Sequence, residues 1–216
     1  MNPEKSDLHI HSDMSDGRMS IEEIVSHASQ LHLDTIAITD HFGPCYGCIK
    51  SDLSIIERRR QSIHDISQEY PNVRVLDGAE LDIYIDGCMT EIAGGKEQFG
   101  LVIGSVHFMT DSSRWVSLLS KATKKHHFDI LGHPDGYLTT YLEDDGEKAA
   151  QILADAGIAV ELSGRYPPKF NHFLVSARDA GCMFSLGSDA HWLSAIGKLG
   201  DQLELAKILN LPLAKF

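Results

Sequence analysis

Features of membrane and secreted proteins are missing from this sequence. Its 216 residues contain no apolar run long enough to span a bilayer. Residues 1–6 lead into the first predicted strand without the apolar core that a signal peptide needs. Only four cysteines occur, and without a secretory signal we expect free thiols in a reducing compartment rather than disulfides. These absences predict a cytoplasmic protein without a membrane partner.

The sequence is also short of positive charge. It has 19 lysines and arginines against 31 aspartates and glutamates, which gives a net charge of −12 at pH 7. This balance opposes a phosphate backbone and disfavours a nucleic-acid partner. No Ser/Pro-rich tract or run of like charge marks a linker, so residues 1–216 are expected to form a single domain.

Short apolar strands alternate with amphipathic helices along the whole chain. Polar residues stand at the ends of seven predicted strands, at positions 11, 41, 80, 107, 133, 161 and 189. A strand-helix-strand unit needs about 30 residues, and these positions recur at nearly that spacing. Ligand-type residues at the carboxyl end of nearly every strand are typical of an α/β barrel with its active face on one rim. An open doubly wound sheet is the alternative, but it would gather only the residues near its switch point.

The second predicted helix, from about 52 to 69, has an amphipathic pattern. Leu53, Ile56, Ile63 and Ile66 mark its buried face. The basic run at 58–60 is expected to lie on its solvated face.

A set of histidines and carboxylates would meet on the rim of such a barrel. In the opening strand, His9 and His11 alternate with apolar residues, so both imidazoles point to one face. Glu80 ends an otherwise apolar strand, where an unpaired charge is costly and a cation is its natural partner. Nine ligands exceed the needs of one or two ions, so three divalent ions fit the set better. The nine predicted ligands are His9, His11, Asp16, His41, Glu80, His107, His133, Asp189 and His191.

The order of the short motifs resembles the polymerase and histidinol phosphatase (PHP) family. The resemblance covers residues 7 to about 197. It is carried by His9-x-His11, Ser15-Asp16-Gly17, Thr39-Asp40-His41, Gly78-x-Glu80, Gly104-Ser105-Val106-His107, Gly132-His133-Pro134 and Gly187-Ser188-Asp189-Ala190-His191.

The resemblance implies a distorted seven-stranded (βα)7 TIM-like barrel with a trinuclear zinc, manganese or iron centre. It also implies a division of the ligands among the three ions. The first ion would be held by His9, His11, Glu80 and Asp189. Glu80 would bridge to a second ion, held also by His107 and His133. The third would be held by Asp16, His41 and His191.

The activity implied is hydrolysis of a phosphate ester. Divalent ions bring the pKa of bound water near neutrality and clamp the phosphoryl oxygens, so a hydroxide can attack without a side-chain nucleophile. Asp189 or His191 is the candidate to relay a proton to the leaving group, although metal ligation competes with that role. Arg165, after the sixth strand, is a candidate for a bidentate contact with the substrate phosphate, and Arg18 is a weaker one.

Three functions stay open at this point. The first is a phosphatase acting on a small monoester such as histidinol phosphate. The second is a phosphodiesterase acting on nucleotides or short oligonucleotides, and the third is a non-catalytic module associated with a polymerase. The complete ligand set argues against the third. Cys45-x-x-Cys48 has redox or zinc spacing, but no second pair accompanies it, so these are expected to be plain loop cysteines.

Overall fold

The structure is a computed structural model that describes residues 2–43 and 52–216. In these ranges strands and helices alternate. The strands are β1 (Ser6–Ile10), β2 (Thr35–Ile38), β3 (Arg74–Asp82), β4 (Leu101–Ser105), β5 (Thr110–Asp111), β6 (Ile130–Leu131), β7 (Leu138–Thr140), β8 (Ala159–Ser163) and β9 (Phe184–Gly187). The helices are α1 (Ile21–Gln30), α2 (Leu53–Glu69), α3 (Ser112–Lys125), α4 (Glu143–Ala156), α5 (Asn171–Ala180) and α6 (Gly200–Ile208).

Seven parallel strands form a nearly closed barrel in the order β1-β2-β3-β4-β6-β8-β9. The two end strands meet through a parallel bridge between Ile10 and Ala190, and the His11 N–H donates to the Ala190 carbonyl at 2.9 Å. The strand order never reverses, so the sheet has no switch point. The predicted seven-stranded TIM-like barrel is therefore confirmed, and the open-sheet alternative is wrong.

A small parallel sheet of β5 and β7 lies outside the barrel and was not predicted. Its strands have two and three residues, which is too short to show an alternating pattern in the sequence. It pairs the segment that follows β4 with the segment that follows β6, and both segments lead away from predicted site residues.

The ends of the helices follow ordinary capping chemistry. A capping box begins α1, with the Ser20 side chain accepting from the Glu23 N–H and the Glu23 side chain accepting from the Ser20 N–H. Gly157 ends α4 in the left-handed conformation, with φ of 68°. Helix α4 begins at Glu143, and three acidic residues in its first turn, 143–145, complement the helix dipole.

Two clusters of buried apolar residues fix the helices against the barrel. One joins α1 and α2 to the first strands through residues such as Ile24, Ile36 and Ile63. The larger one packs α3, α4 and α5 around Trp115, Phe128 and other side chains. No helix among the described residues combines the length and hydropathy that crossing a membrane requires.

Two predictions for α2 are wrong. Leu53, the first residue of the helix, was expected on the buried face but is 44% exposed. The other concerns the basic run at 58–60. Arg58 is exposed as expected, but Arg59 is fully buried and forms ion pairs with Asp40 and Asp77. The spacing explains this, because Arg59 lies three residues after Ile56 and seven before Ile66, on the same stripe as the apolar residues. The paired carboxylates compensate its burial.

Candidate metal centre

The nine predicted ligands lie in, or within six residues of, the carboxyl ends of six barrel strands. Seven of them are buried: His9, His11, His41, Glu80, His133, Asp189 and His191. Two of the nine predicted ligands lie in a strained backbone conformation. His133 and Asp189 have φ of 28° and 53°, a region that residues other than glycine rarely adopt. Such strain is retained where the surrounding structure holds the residue for a function.

Glu80 lies at the centre of the cluster, and its two carboxylate oxygens face different histidines. Oε2 lies 3.2 Å from His9 Nε2, 3.3 Å from His11 Nε2 and 3.2 Å from His41 Nε2. Oε1 lies 3.1 Å from His133 Nε2 and 3.3 Å from His107 Nε2. A carboxylate in this position has one oxygen for each of two ions.

The other two carboxylates also lie close to His11. Asp16 Oδ1 is 3.3 Å from His11 Nδ1, and Asp16 Oδ2 is 3.0 Å from His191 Nε2. Asp189 Oδ1 is 3.4 Å from His11 Nε2 and 3.3 Å from His191 Nδ1. His11 therefore lies between the Glu80 group and a second group formed by Asp16, Asp189 and His191.

Within residues 2–43 and 52–216, four triads place their ligand atoms within 4.8 Å of one another. They are His9/His11/Glu80, His11/Asp16/His41, His11/Asp189/His191 and His41/Glu80/His107. The ninth predicted ligand, His133, contacts Glu80 instead. Because His11 belongs to three triads, these distances do not reproduce the division among three ions that the resemblance implies, and that division stays a prediction.

The donor set fits divalent metal ions. Among the nine predicted ligands, four buried imidazole nitrogens make no hydrogen bond, namely His9 Nε2, both nitrogens of His11 and His133 Nδ1. A buried polar atom without a partner is costly, and imidazole nitrogens beside carboxylates are the ligands that zinc and other transition metals prefer.

The histidines of the cluster lower the pKa values of two of its buried carboxylates. Burial would raise the pKa of Glu80, but His9, His41 and His107 hold it well below the usual range. Burial would likewise raise the pKa of Asp189, but His9 and His11 lower it to about 2. Both carboxylates are therefore ionised at neutral pH and available to cations.

Two further carboxylates contact the Nδ1 atoms of His9 and His107, whose Nε2 atoms face Glu80. Glu161 Oε1 accepts from His9 Nδ1 at 2.7 Å, and its Oε2 accepts from the His133 backbone N–H at 2.6 Å. Asp82 Oδ1 lies 2.6 Å from His107 Nδ1. A carboxylate on Nδ1 fixes the tautomer and directs Nε2 at the ion.

Asp7 holds the loop after β9, which carries the two last predicted ligands. Its carboxylate accepts from the Ser188 N–H at 2.8 Å and from the Gly197 N–H at 2.9 Å. Sequence reasoning gave Glu161, Asp82 and Asp7 no role. Signals were available, since Glu161 stands at a strand end like Glu80, and the two-residue strand period places Asp82 beside Glu80.

The predicted substrate contacts differ in their position. Arg165 lines the mouth of the site, with Nη1 3.5 Å from Asp189 Oδ1 and 2.8 Å from His191 Nδ1. Arg18 is exposed and is not among the residues that line this cavity, although its backbone N–H donates to the His191 carbonyl at 2.9 Å. Cys45 and Cys48 lie outside the described residues.

Two tyrosines that sequence reasoning missed also line the mouth. The hydroxyl groups of Tyr137 and Tyr166 lie 3.1 Å apart, and the Tyr166 ring is 5.0 Å from the ring of His133. The Arg165 guanidinium lies 5.6 Å from the centre of the Tyr166 ring. No spacing pattern marked these residues, because they lie in loops after β6 and β8.

Comparison with known proteins identifies the family. The PHP domain profile matches residues 7–164, and the chain belongs to the PHP domain family. Members of this family are metal-dependent phosphoesterases, and the recognition made from the motifs is confirmed.

Individual relatives are more distant. A DNA polymerase/3'-5' exonuclease PolX from Bacillus subtilis is 29% identical over 87% of this chain, which spans about a third (34%) of that protein's length. A probable phosphatase from Thermoanaerobacter sp. strain X514 is 26% identical over 93% of this chain and 84% of its own. The crystal structure of histidinol phosphate phosphatase from Lactococcus lactis, complexed with zinc, L-histidinol and phosphate, superposes with a TM-score of 0.73. It covers 99% of this chain and 97% of its own at 19% identity, which supports the fold.

Proposed function

We propose that this PHP-family phosphoesterase hydrolyses a small phosphate monoester at a centre of three divalent ions. The observation that carries the proposal is Glu80, whose two oxygens face two different groups of histidines in a buried site. The ligands proposed are the nine residues predicted from the sequence. When bound, the ions would activate water and neutralise the charge of the phosphoryl oxygens.

The side chains of the mouth would bind and orient the ester. Arg165, beside Asp189 and His191, is proposed to contact the phosphate through its guanidinium. Asp189 or His191 is proposed to deliver a proton to the leaving oxygen, since both reach the same cavity. Tyr137 and Tyr166 would bound the leaving group.

Histidinol phosphate is the first substrate to test and zinc the first metal. The structural neighbour from Lactococcus lactis was solved with zinc, L-histidinol and phosphate. Manganese and iron are the other metals proposed. The relative from Thermoanaerobacter is a probable phosphatase, which supports a monoester as the substrate.

A phosphodiesterase is the second candidate. The observation that favours it is the 29% identity to a protein whose name includes a 3'-5' exonuclease activity. This chain spans about a third of that protein, so the similarity concerns only the part that matches the chain described above.

One assay separates the candidates. The protein is stripped with a chelator, reloaded with zinc, manganese or iron(II), and tested on histidinol phosphate, nucleoside monophosphates and bis(p-nitrophenyl) phosphate. We expect phosphate release from a monoester that chelation abolishes and metal restores. Turnover of the diester alone would favour the second candidate, and no metal-dependent turnover of any ester would contradict both.

A further inference from the structure

Arg59 is a buried cation on α2 that the proposed reaction does not use. Its Nε donates to Asp40 Oδ2 at 2.5 Å, and its Nη1 donates to Asp77. Its Nη2 donates to the carbonyls of Ile38 and Gly78, the latter at 3.1 Å. The side chain thus joins the helix to β2 and β3.

Asp40 also accepts hydrogen bonds from the loop that follows β1. Its Oδ1 accepts from the Ser12 N–H at 2.7 Å, and its Oδ2 accepts from Ser12 Oγ at 2.8 Å. Ser15 Oγ lies 2.9 Å from Asp40 Oδ1 and 3.2 Å from Asp16 Oδ1, so its hydrogen can reach either carboxylate. A continuous chain of polar contacts therefore runs from Arg59 to a predicted metal ligand.

The loop itself has little freedom to relax. The N–H groups of Ser15 and Gly17 both donate to the Ser12 carbonyl, at 3.1 and 3.0 Å. A Cβ on Gly17 would lie 2.1 Å from the His11 carbonyl oxygen, so the loop is folded tightly against the end of β1. The position of Ser12, which Asp40 holds, sets the position of Asp16.

We propose that Arg59 is a positioning residue for one of the three ions, the one assigned to Asp16, His41 and His191. It fixes Asp40, and Asp40 fixes the loop at 12–17 so that Asp16 is placed before the ion binds. The inference rests on the proposed function, because it assumes that Asp16 is a metal ligand.

The neighbouring Arg60 provides a matched control. It donates from Nε to the other oxygen of Asp77 at 2.8 Å and from Nη2 to Gln98 at 3.2 Å, and it makes no contact with Asp40 in the described structure. A change at Arg60 disturbs the same helix and the same Asp77 without reaching the loop that carries Asp16.

The test measures how many ions bind and how tightly, by equilibrium dialysis with zinc and elemental analysis. Asp16→Ala in the full chain identifies the equivalent of zinc that depends on Asp16. Arg59→Lys keeps the charge but loses the forked contacts. Ser15→Ala breaks the link between Asp40 and Asp16 without exposing a buried charge, so it stays informative if Arg59→Lys folds poorly.

We expect Arg59→Lys and Ser15→Ala each to weaken the Asp16-dependent equivalent about 10- to 100-fold, the range for residues that hold a ligand. The other equivalents and the Arg60→Lys protein should match the wild type. The double variant should lose little more than the larger single loss, because both changes interrupt one chain of contacts. Unchanged affinity, or equal weakening of every equivalent, would overturn the inference. Wild-type protein that binds no zinc would instead contradict the proposed function.

Discussion

Glu80 is buried, and its carboxylate is nevertheless ionised because of the histidines around it. The histidines around it lower its pKa well below the ordinary value, so the carboxylate stays ionised in a place where burial alone would neutralise it. Buried groups with strongly shifted pKa values cluster at functional sites, which supports the proposal that Glu80 binds metal ions. Five imidazole Nε2 atoms within 3.3 Å of its two oxygens set the geometry of the site.

Glu80→Gln tests this directly. The amide keeps the shape but loses the charge and one acceptor, so it cannot offer an oxygen to each of two ions. We expect activity to fall by on the order of 100-fold or more, beyond the loss for residues that only support a ligand, and bound metal to decrease. Turnover and metal content are measured together. Glu22→Gln, on the exposed face of α1, is the control, and activity within a few-fold of wild type for Glu80→Gln would refute the bridging role.

Arg165 is the residue proposed to contact the phosphate of the substrate. It is exposed at the mouth of the site and lies beside two predicted ligands. For Arg165→Ala we expect mainly a rise in KM, from the loss of a phosphate contact of roughly 1.5 to 3 kcal/mol, with a smaller change in kcat. Steady-state kinetics on the best ester check this. Arg114→Ala on the exposed face of α3 is the comparison, and kinetics equal to wild type would make Arg165 a surface residue.

At the scale of elements, the strand ends explain why most of the site was predictable. Side chains at the carboxyl ends of neighbouring parallel strands must converge, so ligand-type residues at those ends could be assembled from the sequence alone. His9, Glu80 and His133 were placed by this rule, and the structure brings His9 Nε2 to 3.2 Å and His133 Nε2 to 3.1 Å from the two carboxylate oxygens of Glu80.

What could not be predicted depends on contacts between elements that no periodicity records. Glu161 shares the strand-end position of Glu80 but turns its oxygens to His9 and to a backbone N–H, a difference that only the packing decides. Arg59 lay on the apolar stripe of α2, yet its ion partners are Asp40, which follows β2, and Asp77 in β3, positions that the helical period does not relate to Arg59.

Gly187, the last residue of β9, lies close to Glu161 and His9. A Cβ at this position would lie 2.0 Å from Glu161 Oε1 and 2.7 Å from the Cβ of His9. Gly187→Ala must therefore displace Glu161 or β1, and overpacking of this kind costs about 1 to 3 kcal/mol.

For Gly187→Ala we expect a melting temperature lower by roughly 3 to 10 °C, together with weaker zinc binding because His9 loses its support. Thermal unfolding and zinc titration are the measurements. Gly200→Ala, where no atom lies within 4 Å of the added Cβ, should change neither by much. A Gly187→Ala protein with wild-type melting temperature and zinc affinity would show that Glu161 can move without consequence.

At the scale of the whole molecule, the cluster couples metal binding to pH. In the metal-free chain, burial alone would lower the pKa of His11, but the nearby Asp189 and Glu80 carboxylates raise it to about 9. Burial would likewise lower the pKa of His107, whereas the charge of Glu80 and the contact with Asp82 raise it to about 10. Both imidazoles therefore carry a proton at neutral pH until a metal ion displaces it.

The sign of the effect on stability follows. The folded pKa values lie above the unfolded value of about 6.5, so the stabilisation is complete below that pH and is lost as the pH rises through 9 to 10. We expect the melting temperature of the metal-free protein to fall by several degrees between pH 7 and pH 10. The increase in melting temperature on adding zinc should be larger at pH 8.5 than at pH 7, because fewer protons compete for the ligands.

Thermal unfolding of stripped and zinc-loaded protein across this range measures both effects. His107→Gln should flatten the pH dependence of the metal-free protein, since it removes the group with the highest of the two pKa values. His64→Gln, exposed on α2, should leave that dependence as in wild type. Equal slopes for wild type and His107→Gln would mean that the protonated imidazoles do not stabilise the metal-free barrel, and that Glu80 is balanced there by another cation.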